Sequence, residues 1–189
     1  MAEPASTAPA RPDFSRFSWG MLASYYRQQF SAGLATNLAY RGAVGIWVFS
    51  GLIQPLVFIV VWRTVAGGGA VAGYTADQFV SYFLVAMVVD HLTFIWHMFE
   101  FEWRMRTGAF SPLLLRPVHP IHHDVCENLS YKLVGLVGVL PAAILLGLVF
   151  GADLSGITPM SVLAFLPALL LAMALRFLVE WCLALAAFC

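Results

Sequence analysis

LVGLVGVLPAAILLGLVF, residues 133–150, runs without one charged side chain. At ~1.5 Å per residue it makes a helix of about 27 Å, close to the ~30 Å of hydrocarbon in a bilayer. Inside that layer only a helix satisfies its own backbone polar groups, so a run of this kind predicts a transmembrane helix. Three further runs have the same character: Gly42 to Trp62, Phe79 to Phe99, and Met160 to about Glu180. The expected fold class is therefore an all-α membrane protein with four transmembrane helices.

Composition agrees. The chain of 189 residues is 61% hydrophobic and 11% charged, and four spans leave little room for a separate water-soluble domain. Lysine and arginine balance aspartate and glutamate, and no basic stripe interleaved with aromatics indicates a nucleic-acid partner. Cys126, Cys182 and Cys189 have no metal-type spacing and no disulfide pattern. Residues 1–18, rich in Ala and Pro, lack the apolar core of a signal peptide and read as a disordered cytoplasmic tail. The apolar ending Leu183 to Cys189 has no polar stop and suits an N-terminal fragment of a longer protein.

Charge placement orients the chain. Arg11, Arg16, Arg27 and Arg41 precede the first span, and Arg104, Arg106, Arg116 and Lys132 lie between the second and third. Arg63 is alone between the first and second, and the third-to-fourth connection has none. The positive-inside rule places the N-terminus and the second-to-third loop in the cytoplasm. Gly67 to Gly73 and Gly151 to Pro159 then face outward. Thr75 and Gln78 have the spacing of a capping box opening the second span. Pro55, Pro141 and Pro167 fall within spans and should kink them. Trp19, Leu22, Tyr26, Phe30 and Leu34 recur at helical spacing over residues 19–40. They predict an interfacial amphipathic helix with its apolar side in lipid.

Three groups of residues are candidates for function. The loop 100–132 contains Leu113, Leu114 and Leu115 between Pro112 and Pro117, beside Arg116. Apolar residues held by stiff turns on the wet side suit a docking surface for a protein partner. In the second span Phe83, Asp90, Phe94 and His97 fall on one helical stripe. A carboxylate among aromatic rings suits a path for a flat cation. Arg176 and Glu180 have i, i+4 spacing, which suits a structural ion pair. His119, His122, His123, Asp124, Cys126 and Glu127 are crowded, but they match no zinc pattern, and no metal site is expected. A membrane-embedded metalloenzyme built on His119 to Glu127 is the rival reading, with a non-transporting membrane scaffold as a third.

The interfacial helix, the run Gly73 to Phe83 and the segment Gly108 to Pro120 leading into Leu129 to Lys132 carry a family likeness. With them the chain resembles the permease subunit of type-2 ABC exporters, in the branch described as viologen or drug exporters. The resemblance implies six spans where this chain offers four. It implies a dimer with a second permease copy or a related permease, in a bacterial inner membrane. It also implies a coupling segment that meets a separate ABC ATPase. By position that segment is Glu102 to Pro117, with Arg104, Arg106, Leu113, Leu114, Leu115, Arg116 and Pro117 as its contact residues. The only lysine, Lys132, follows no glycine-rich phosphate loop. No cofactor is therefore expected in this chain, and ATP and magnesium would be bound by the partner. The implied activity is transport of a small apolar or cationic compound by alternating access, not catalysis.

Overall fold

The structure, a computed structural model, describes residues 19–186. The expected tail, residues 1–18, and Cys189 lie outside the described residues. Seven helices follow in order: α1 Trp19–Ala39, α2 Arg41–Ala66, α3 Ala76–Thr93, α4 His97–Arg106, α5 Ser111–Leu114, α6 Pro120–Phe150 and α7 Pro159–Ala186. A hairpin of two-residue strands, β1 Ala70–Val71 and β2 Tyr74–Thr75, joins α2 to α3. Its turn needs positive φ at Ala72 (52°) and Gly73 (86°), and glycine accepts that conformation at no steric cost. Four stretches are long and apolar enough to cross a membrane: α2, α3 continued through α4, α6 and α7.

Local chemistry explains the helix ends. The Thr75 side chain accepts from the Gln78 amide while Gln78 Oε1 accepts from the Thr75 amide, so both halves of the expected capping box form. Gly151, at φ 71°, ends α6 in the left-handed conformation. The helices run through Pro55, Pro141 and Pro167 without interruption.

The interruption falls elsewhere. The expected span 79–99 stops being helical at Phe94–Trp96, which contains neither Pro nor Gly. Phe94 turns to φ −59°, ψ 139°, and its amide donates to Asp90 O at 2.7 Å. Thr93, Phe94, Ile95 and Trp96 are β-branched or aromatic and give up side-chain freedom in a helix. Ile95, only 4% exposed, then packs with Phe101, Phe177, Trp181 and Ala184. Tertiary burial rewards the break, and no local breaker marks it.

Two apolar cores result. Ile59, Val80, Leu84, Met87 and Val139 join α2, α3 and α6, and the Ile95 cluster joins α4 to α7. Small residues set the crossings. A Cβ on Gly135 would land on the His91 imidazole, and one on Gly33 would meet the Ser130 side chain. That second approach lets α1 lie along the first third of α6, with Tyr26 Oη 2.8 Å from His122 Nδ1. The helix expected over residues 19–40 is present as α1, and part of its apolar side packs on α6. Leu22, Tyr26, Phe30 and Leu34 are half-buried on a helix that packs against α6, while Trp19 stays 83% exposed. The expected coupling loop 100–132 is largely helical, made of α4, α5 and the first third of α6. Lys132, expected in that wet loop, is 2% exposed.

Candidate functional site

The segment between α3 and α6 contributes to a buried ionic hub and carries an exposed apolar knob. In α4 the residues His97, Phe101 and Arg104 are buried at i, i+4, i+7 spacing, one face of a helix. Arg104 points inward along that face. Its Nη1 donates to Asp124 Oδ1, and its Nη2 donates to Glu127 Oε2 at 2.9 Å and Glu100 Oε2 at 3.1 Å. Asp124, fully buried, also accepts from Trp181 Nε1 at 3.0 Å. One carboxylate thus ties α4, α6 and α7 together. Arg104, expected to face a partner, is buried at 7% exposure and braces the segment from within. A guanidinium's rigid fork suits this many-sided pairing, and a buried charge persists only when paired so.

The knob follows. Leu113, also expected at the partner surface, is 7% exposed and anchors α5. Leu114 and Leu115 are 62% and 87% exposed, beside the exposed Arg106, Arg116 and Pro117. Arg106 pairs with Glu102 at 3.2 Å, and Arg116 donates to Gln29 of α1 at 3.4 Å. Of the seven residues expected to contact a partner, five are exposed and two are buried.

Three of the four residues of the expected cation path share a cavity of ≈ 490 Å³. Phe83, Asp90 and Phe94 line it, together with Phe58, Gln54 and Tyr131. Phe58 stacks on Phe83 with ring centroids 5.3 Å apart. Asp90 is exposed and lies about 21 Å along α3, four residues before Phe94. His97 is the exception. The break turns it away from the stripe to 4% exposure, with Nε2 3.7 Å from Asp124 Oδ2.

The expected Arg176–Glu180 ion pair is also corrected. Among the described residues Arg176 instead donates to Thr93 Oγ1 at 3.3 Å and sits 5.8 Å from the Phe94 ring centroid. Thr93 closes α3, and a cation at a helix C-terminus meets carbonyls pointing its way. A cross-helix partner at the break therefore wins over the neighbour on the same helix.

The His119 to Glu127 cluster divides. His119 caps α6, its Nδ1 accepting from the Ile121 amide at 3.3 Å, and its ring packs on Trp181. His122 meets Tyr26. His123, Asp124 and Glu127 do bring ligand-type atoms within 4.8 Å of one another. Both carboxylates, however, already pair with the Arg104 guanidinium. The hub was only partly legible in the sequence. Arg104 followed Glu100 at helical spacing, but Asp124 and Trp181 lie far along the chain from it.

No curated protein and no solved structure matches the chain. A family model described as ABC-2 family transporter protein matches residues 50–189, which include α3 to α6 and therefore both the hub and the knob. The chain accordingly belongs to the ABC-2 family of transporter proteins and is a multi-pass membrane component of that class.

Proposed function

We propose that the chain is the permease subunit of an ATP-driven exporter in a bacterial inner membrane. A separate ABC ATPase docks on Leu114, Leu115, Arg106, Arg116 and Pro117, and binds the ATP and magnesium. A second copy or a related permease completes the path. The N-terminus lies on the cytoplasmic side with the knob. The observation that carries this reading is an exposed leucine knob on the same segment of chain as a buried ionic network. Apolar residues standing in water cost solvation, and a buried network that rigidifies the same segment suits transmission of a push. The Tyr26–His122 and Arg116–Gln29 contacts put α1 at the same end of the bundle as the knob, which supports one cytoplasmic side for both arginine groups.

The cargo reading rests on the Asp90 cavity. One carboxylate among Phe58, Phe83 and Phe94 suits a small apolar or cationic compound, which alternating access would release outward. No covalent step falls on this chain.

Co-expression with an ATPase encoded beside it, followed by purification in mild detergent, tests the docking. The ATPase should accompany the native chain, and its persistent absence would sink the reading. Sidedness is tested with Leu115→Cys, because native Cys126 is buried. Labelling of that cysteine from outside intact cells by an impermeant maleimide would reverse the orientation.

A further inference from the structure

A second cavity, of ≈ 330 Å³, opens between α1, the break and α6. Trp47, Phe94 and Trp96 form an aromatic wall, with Trp47 and Phe94 ring centroids 5.9 Å and 5.8 Å from that of Trp96. Glu100 and Glu127 line the opposite side, with side chains 46% and 40% exposed. Both share Arg104 with Asp124, so three carboxylates meet a single guanidinium. His97, 4% exposed, also lines the cavity, and its Nε2 has no hydrogen-bond partner.

Depth narrows the occupant. The crossing stretch runs on from α3 into α4, which carries Glu100, Glu102, Arg104 and Arg106, so the break lies where apolar sequence gives way to charge, as it does at the level of lipid headgroups. Partly exposed carboxylates there repel an anionic headgroup and accept from an N–H donor. Indole faces attract a cation at short range. Arg176 already sits over the Phe94 ring, while Trp47 and Trp96 remain 57% and 44% exposed.

We propose that this cleft binds an alkylammonium group, presented as the headgroup of a phospholipid such as phosphatidylethanolamine. The ammonium donates to Glu100 and Glu127 and rests against the Trp47 and Trp96 rings. The site is independent of the transport reading, since a chain that exported nothing would still hold such a lipid.

Native mass spectrometry of the whole chain in detergent tests this. The probes are phosphatidylethanolamine and phosphatidylglycerol with identical acyl chains at equal concentration. The ethanolamine lipid should be retained about fivefold over the glycerol lipid, the ratio that ~1 kcal/mol of cation–π and charge preference gives. Trp47→Leu and Trp96→Leu should each bring the ratio toward one. Trp103→Leu, at a residue 61% exposed and outside the cavity, should leave it unchanged. Free ethanolamine at millimolar concentration separates the sources. Displacement of the lipid makes the soluble amine an equal occupant, and retention assigns the cleft to headgroups alone. Equal retention of both lipids by the native chain, or a preference that survives both tryptophan substitutions, would overturn the proposal.

Discussion

Arg104 on α4 closes on Asp124 of α6 with both side chains withdrawn from solvent, at 7% and 0% exposure. Arg104→Gln should strand a buried carboxylate at a cost of about 3–5 kcal/mol. A fall in the thermal midpoint of the detergent-solubilised protein would report it. The double change Arg104→Met with Asp124→Leu should recover much of the loss, because neither charge is then left alone. A double variant no more stable than Arg104→Gln would argue against the brace.

Neighbouring leucines should behave in opposite ways. Leu115→Asp, at a residue 87% exposed, should leave thermal stability within about 0.5 kcal/mol of native and abolish co-purification of an ATPase. Leu113→Asp, at 7% exposure, buries an unpaired charge and should destabilise the chain before any docking can be measured. Retention of the ATPase by Leu115→Asp would remove the knob from the docking surface.

At the α3–α6 crossing, Gly135→Val places carbon where the His91 imidazole stands. Overpacking of this kind costs about 1–3 kcal/mol. Gly45→Ala, with nothing within 4 Å of the added Cβ, should be neutral or stabilising by up to ~1 kcal/mol. Paired unfolding curves decide between them, and equal effects at the two sites would contradict the packing described.

Asp90→Asn should lower cellular resistance to a lipophilic cation several-fold while leaving the fold intact, because the side chain is exposed. Unchanged export would take Asp90 out of the path.

Acid should loosen the turn between α6 and α7. The Ser155 side chain and its amide, the latter at 2.9 Å, hold the Asp153 carboxylate below its ordinary value of 3.8. A lowered folded pKa contributes stability that is present above the unfolded value and is lost as the pH falls through the folded one. Amide exchange at Ser155 should therefore gain in protection factor between strongly acidic conditions and pH 5. A flat profile would count against the hydrogen bond.

The spans were legible because hydropathy over about 20 residues is a local property, and so was the Thr75 cap. Leu114 and Leu115 could be read as exposed because prolines bound their segment. What escaped was set across helices. The break at Phe94 depends on Ile95 finding Phe177 and Trp181. The inward turn of Arg104 depends on Asp124, and the partner of Arg176 lies on α3 rather than one turn along its own helix. The same break took His97 off a stripe that assumed continuous helix through residue 97. Spacing along one helix cannot rank a neighbour on that helix against a better one on another.

The two helices that leave the knob differ mechanically. α6 is one unbroken rod of 31 residues, about 46 Å, with the ionic brace at one end and the Gly151 turn at the other. The route back through α4 into α3 has a joint at Phe94–Trp96. A displacement applied at the knob would have a continuous helix to follow along α6 and a joint to cross on the α3 side. The Asp90 cavity sits between that lever and that hinge, where unequal strokes would change its width.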